Sequence, residues 1–184
     1  MKLAVIGSAI AGGGVQIVDI LLDGNIADDI RIYDDDEEAQ GLDVLGVPIL
    51  GPLDRLSSDI SDGFVDSAVI AVGSIGPREA LFKKYSNSSL IFPNIISSKS
   101  TISRSALLGV GNVILPHAYI GPKVKLENNN YLTTLTVVNH DTIIGSHCYF
   151  STSVSIAGRV TIEDRVRFDT GCCVTADAVV PSDS

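Results

Sequence analysis

The stretch Val138-Asn139-His140-Asp141-Thr142-Ile143-Ile144-Gly145-Ser146-His147-Cys148-Tyr149-Phe150-Ser151-Thr152-Ser153-Val154-Ser155-Ile156 has a period of six. Val138, Ile144, Phe150 and Ile156 are large and apolar, and the residues four places after the first three, Thr142, Cys148 and Val154, are small. Extended both ways, the first series runs Ile96, Ile102, Leu108, Ile114, Ile120, Leu126, Leu132, Val138, Ile144, Phe150, Ile156, Ile162, Phe168, Val174, Val180 without a break. In a chain that is 45% hydrophobic such a run arises by chance about once in 10^5. The second series, from Ala106 through Asn112, Ala118, Val124 and Asn130 to Ala178, holds no charged or aromatic residue.

A period of six that pairs a large apolar residue with a small one describes a parallel β-helix. Each hexapeptide is one short strand with its apolar side chain inward and its small residue at a tight corner. Three strands close one triangular coil, so residues 18 apart stack on the same face, about 4.8 Å from each other as in any parallel sheet. A sandwich of short strands would need this register to persist by accident through Asn128-Asn129-Asn130 and Val137-Val138-Asn139.

Residues 1–92 have a different rhythm, short apolar runs alternating with amphipathic stretches as in an α/β unit. Lys2-Leu3-Ala4-Val5-Ile6 reads as a buried strand ending at Gly7, and Gly12, Gly13 and Gly14 lead into a helix over 15–22 closed by Gly24. A second strand over 30–33 runs into Asp34-Asp35-Asp36. After the turn-rich Gly46-Val47-Pro48-Ile49-Leu50-Gly51-Pro52 come a third strand over 67–72, ending at Gly73, a helix over 77–85 and a last strand over 90–92. Domains are therefore expected at 1–92 and 93–184.

The chain's 184 residues carry a formal net charge of -9, and the pair Lys83-Lys84 is the densest basic cluster, which argues against nucleic acid or an anionic membrane as partner. Three cysteines without CxxC spacing, no leader-like segment and no apolar run of spanning length lead to an expectation of cytoplasmic residence with reduced thiols.

The repeat, together with Tyr33-Asp34-Asp35-Asp36, Gly46-Val47-Pro48-Ile49-Leu50-Gly51, Ile70-Ala71-Val72-Gly73, Asn139-His140-Asp141-Thr142-Ile143-Ile144-Gly145 and Ile156-Ala157-Gly158-Arg159-Val160-Thr161-Ile162, resembles the hexapeptide-repeat sugar acyltransferases. These include the sialic acid O-acetyltransferase and UDP-4-amino-sugar N-acetyltransferase types. The resemblance spans nearly the whole chain. It implies a Rossmann-like sugar-nucleotide-binding domain followed by a left-handed β-helix, acetyl-CoA as co-substrate, and a homotrimer with the donor between neighbouring β-helices. There are departures: the loop over 7–14 lacks the histidine of the family's Gly-Gly-His-Gly turn, and Tyr149 stands where a second histidine is often found. The repeat is still in register at Val180, where the resemblance implies one or two further coils, so the expectation is either a shortened donor channel or coils that continue beyond this sequence.

Acyl transfer to a sugar hydroxyl or amine needs a base at the nucleophile and donors for the developing oxyanion. His140 is the candidate base, since imidazole titrates at about 6.5 in the absence of perturbation. Asp141 can fix its ring if the backbone allows. Residue 140 plus one coil is 158, so Gly158 is expected above His140 with an unobstructed N–H, and Ala176 continues that column as a channel for the coenzyme A arm. Tyr149, Ala157, Gly158 and Ala176 are assigned to the donor. Gly7, Asp34, Asp35 and Gly73 lie at strand ends where an α/β sheet takes nucleotides, and the resemblance implies that they face the sugar-nucleotide.

Plainer readings stand beside these. His140 is a surface histidine on spacing alone, the three aspartates are a solvated turn, and His117 and His147 have no motif role. Counting hexapeptides puts the three histidines on three different faces, so no metal site is expected within one chain. Cys172 sits at a small corner position as a structural residue. The expected activity is transfer of acetyl from acetyl-CoA to a hydroxyl or amino group of a nucleotide-linked sugar or a sialic acid. A non-catalytic scaffold or sugar-nucleotide-binding protein is the alternative.

Overall fold

The protein is described by a computed structural model covering residues 1–7 and 12–184, in two compact units, Met1–Pro93 and Asn94–Ser184. Residues 8–11, and with them the expected departure in the loop over 7–14, lie outside the described part.

In the first unit β1 (Lys2–Ile6), β2 (Asp29–Tyr33), β4 (Val47–Gly51) and β5 (Ser67–Ile70) form a parallel sheet, with β3 (Asp43–Val44) added antiparallel to β4. The order is β3-β4-β2-β1-β5. From β1 the chain steps outward to β2 and β4 and then crosses back to β5 on the other side of β1, which opens a crevice at the carboxyl ends of β1 and β5. Leu3, Ala4, Val5 and Ile6 are all buried, as a central strand covered on both faces requires. The helices are α1 (Gly13–Asp23), α2 (Leu53–Ser61) and α3 (Ile75–Ser86).

Three features differ from the sequence reading. The turn-rich segment at 46–52 carries strand β4, whose Val47, Ile49 and Gly51 are buried in alternation; its flanking glycines and prolines masked the period of two. Helix α2 had no clear sequence signal, because its N-terminus is capped from a distance: Leu53 N–H donates to Asp35 Oδ1 at 2.8 Å. Residues 90–92 form no full strand, only a single bridge from Ile91 to Ser67.

The second unit is a triangular coil of fifteen two-residue strands, from Ile95–Ile96 to Val179–Val180. Every strand pairs in parallel with the strand 18 residues away, as in Val137↔Ser155 and Ile143↔Thr161, and this builds three five-stranded faces. Face I contains Tyr119–Ile120, Val137–Val138 and Ser155–Ile156; face II contains Lys125–Leu126, Ile143–Ile144 and Thr161–Ile162; face III contains Val113–Ile114, Tyr131–Leu132 and Tyr149–Phe150. The inward series forms one continuous core in which like stacks on like, Phe150 on Phe168 at 5.1 Å between ring centres.

The corners have a regularity that the sequence reading missed. Gly111, His117, Lys123, Asn129, Leu135, Asp141, His147, Ser153, Arg159, Arg165, Gly171, Asp177 and Asp183 all have left-handed φ, between 57° and 75°. Eight of these thirteen are Gly, Asn, Asp or His, the types that tolerate this conformation best, and none is β-branched. Most corners then hand a backbone hydrogen bond to the coil below, as Asp141 N–H does to Pro122 O and Arg159 N–H to His140 O, both at 3.0 Å.

Candidate active site

The three histidines sit at three different corners: His117 between faces III and I, His140 between I and II, and His147 between II and III. Among the described residues no three His, Cys, Asp or Glu side chains are grouped to hold a metal ion. His147 is buried with Nδ1 2.8 Å from Asn129 Nδ2, so this imidazole nitrogen is the acceptor.

At the corner between faces I and II, consecutive side chains meet. Neighbouring residues on an extended chain point apart, but the left-handed φ of 58° at Asp141 turns its carboxylate back, and Oδ2 lies 2.9 Å from His140 Nδ1. An ionised carboxylate only accepts, so Nδ1 carries the proton and Nε2 presents its lone pair. The hydrogen bond from His140, with the charge of Lys123, holds the Asp141 carboxyl below the usual carboxylate range. Both side chains are about half exposed, at 51% and 43%.

Gly158 is buried one coil above, directly against the imidazole. A Cβ there would lie 2.8 Å from both Cε1 and Nε2 of His140, so any side chain would displace the ring. Within the described residues the Gly158 N–H has no acceptor. The same is true of the amides of His140 and Ala176 in this column, and the place below them is taken by Pro122, which has no N–H to satisfy. Ala157 spends its backbone on the coil, donating to Val174 O at 3.0 Å and accepting from Thr142 Oγ1 at 3.1 Å.

The left-handed residues of this column form a charge ladder that sequence reasoning overlooked: Lys123, Asp141, Arg159 and Asp177, alternating in sign every 18 residues. Arg159 grips Asp177 through Nε at 2.7 Å and Nη2 at 2.8 Å. A hollow of about 420 Å³ opens beside Asp141 on face II, lined by Ser105, Leu107, Lys123, Lys125 and Ile143. Open space next to the dyad thus lies below and beside His140, whereas the column above holds Gly158, the Arg159–Asp177 clamp and exposed Ala176.

Tyr149 is not brought to this group. It stands on face III, opposite the corner, stacked on Tyr131 at 5.3 Å and beneath the Arg167 guanidinium at 4.6 Å. Nine residues from His140 are one and a half strands of the coil, which turns a side chain to another face. Burial pushes the Cys148 thiol up to about 11, far from a nucleophile's range.

In the first unit Gly7, Asp34 and Asp35 gather in one crevice of about 360 Å³, walled by Ile6, Leu53, Val72, Pro77, Ala80 and Leu81 at the carboxyl ends of the strands. Gly73 follows Val72 but is not part of that wall. Gly7, with φ of 88°, has no room for a side chain, since a Cβ would lie 2.9 Å from Val72 Cγ2. The aspartates have separate duties: Asp35 caps α2, Asp36 Oδ1 accepts from Glu38 N–H at 3.0 Å, and Asp34 Oδ1 accepts from Asp36 N–H at 3.0 Å.

A hexapeptide coil that follows a parallel α/β unit in the sequence has the architecture of the hexapeptide-repeat sugar acetyltransferases, and known proteins bear that resemblance out. The acetyltransferase domain of PglB from Neisseria gonorrhoeae FA1090, solved in complex with acetyl coenzyme A, is 26% identical and superposes with a TM-score of 0.88 over 98% of this chain and 84% of that one. A mutant of GDP-perosamine N-acetyl transferase from Caulobacter crescentus, solved with CoA and GDP-perosamine, shares the fold at 19% identity, with a TM-score of 0.81 over 97% and 90% of the two chains. By sequence, an acyl-[acyl-carrier-protein]--UDP-N-acetylglucosamine O-acyltransferase from Xylella fastidiosa is 40% identical over 48 residues, which span 26% of this chain and only 18% of that protein. No protein-family model matches the chain.

Proposed function

We propose that this chain is an acyl-CoA-dependent sugar acetyltransferase, moving acetyl from acetyl-CoA to an amino or hydroxyl group of a nucleotide-linked sugar or a sialic acid, for the building of surface glycans. The observation that carries the reading is the His140 ring, held by Asp141 at Nδ1 and packed against Gly158, with Nε2 free to take a proton. The nucleophile's N–H or O–H proton passes to Nε2 as its lone pair forms the bond to the thioester carbonyl carbon. The carbonyl oxygen becomes an oxyanion, for which the Gly158 N–H is an open donor. Collapse breaks the C–S bond, and the coenzyme leaves as a thiolate that recovers the proton from His140.

The acetyl-CoA-bound neighbour supports acetyl-CoA as the donor, and we assign Ala157, Gly158 and Ala176 to it. Tyr149 belongs to the donor site only if a neighbouring copy supplies the rest, as in a homotrimer. The first unit, read as a Rossmann-like domain, takes the nucleotide in the crevice of Gly7, Asp34 and Asp35, with Gly73 at its edge. The second unit is read as left-handed, and the whole as a cytoplasmic protein; among the described residues no helix is long and apolar enough to cross a membrane.

The test is release of free CoA thiol from acetyl-CoA against UDP- and GDP-linked 4-amino sugars and free sialic acid. Turnover with one member of the panel is expected. No turnover, together with no calorimetric heat on titrating acetyl-CoA, would establish the scaffold alternative.

A further inference from the structure

His140 does not have Asp141 to itself. Its Nδ1 lies 2.9 Å from Asp141 Oδ2, while Lys123 Nζ lies 3.7 Å from the other oxygen, Oδ1. Lys123 is held for this contact by its backbone: it occupies the left-handed corner one coil below, with φ of 58°, and its N–H donates to Ser105 Oγ at 3.2 Å. Among the described residues the other cations around the dyad make no ion pair to Asp141, although the charge of Arg159 also acts on it. Arg159 is committed to Asp177 by two hydrogen bonds, and Lys125 lines the face II hollow without an ion pair to Asp141 among the described residues.

We infer that Lys123 is a positioning residue: by engaging one oxygen of Asp141 it aims the other at His140 and moderates the pull of the carboxylate on the imidazole proton. The role in turnover rests on His140 acting as base, but the electrostatic coupling does not. A carboxylate paired with an ammonium stabilises a neighbouring imidazolium less than a free one does. Removing the ammonium therefore leaves His140 more protonated at neutral pH, with less of it in the form that accepts a proton.

The experiment follows the His140 imidazole by NMR titration in the full chain, with His140→Gln identifying its signal among three histidines. Lys123→Gln is expected to raise the His140 midpoint by about half a pH unit at low salt, the size expected for one exposed charge several ångströms away. Lys123→Arg should restore it, and the shift should shrink at about 1 M salt, where the screening length is about 3 Å. The acid limb of the kcat/KM profile should rise in parallel, with KM for acetyl-CoA unchanged. An unmoved midpoint in Lys123→Gln overturns the inference. So does a raised KM for acetyl-CoA without a midpoint shift, which would make Lys123 a contact to the donor's phosphates. Full turnover in His140→Ala would remove the functional reading, and the positioning role with it, even where the midpoint shift is intact.

Discussion

Two corners of the same coil solve the same problem in opposite ways. Between faces II and III the amides of three successive corners are closed by a side chain from the coil above: Val110 N–H by Asn128 Oδ1 at 2.9 Å, Asn128 N–H by Ser146 Oγ at 3.2 Å, Ser146 N–H by Asp164 Oδ1 at 2.7 Å. Inside that corner a second ladder runs from Asn94 Oδ1 to Asn112 N, from Asn112 Oδ1 to Asn130 N, and from Asn130 Oδ1 to Cys148 N. Between faces I and II the equivalent amides of His140, Gly158 and Ala176 have no such partner among the described residues. The open backbone donors beside His140 are ones that a ligand's acceptor can take.

Substitutions at the open corner should change turnover and spare stability, and the reverse should hold at the closed one. His140→Ala is expected to have the largest effect, a fall in kcat of about 10²–10⁴-fold with the thermal midpoint unmoved, measured by CoA release and calorimetric scanning. Full activity in this variant would remove His140 from the chemistry. Gly158→Ala comes next. Its new Cβ would sit 2.8 Å from His140 Nε2, and the side chain gives way more easily than the backbone, so the ring moves and kcat should drop by about 10²-fold. A crystal structure of this variant with an unmoved imidazole would contradict the packing described here. The smallest effect is expected at the closed corner: Asp164→Ala leaves Ser146 N–H without its acceptor and should cost about 1 kcal/mol in urea unfolding, with kcat intact. If Asp164→Ala impaired turnover more than stability, the division between the corners would fail.

The relation between His140 and Gly158 could be read from sequence because the coil maps a distance of 18 residues onto vertical stacking. The opposed faces of His140 and Tyr149 follow from the same count, yet Tyr149 was assigned to the donor by family analogy, which ignores which way a strand turns. The left-handed corners were partly legible, since Gly111, Asn129, Asp141, Gly171 and Asp177 are types that accept positive φ, although Leu135, Lys123 and Arg159 hid the pattern. In the first unit the acidic cluster was found, but the division of labour within it was not. That Asp35 caps α2 depends on a contact across 18 residues that include β3 and β4, which no local spacing encodes. The Lys123–Asp141 contact was missed for a simpler reason. Opposite charges 18 apart carry no meaning until the column that joins them is recognised.

The three-sided coil makes length in this half of the molecule a quantised property. Removing one whole turn, residues 150–167, would keep every corner in phase and set Ala176 where Gly158 now lies, its methyl against the imidazole. Removing a single residue would shift the phase of everything after it, sending inward side chains to corners and corner residues into the core. The protein can grow or shrink along its axis only in steps of a full turn, and the pair His140 and Gly158 occupies two adjacent steps that no such change can separate without rebuilding the site.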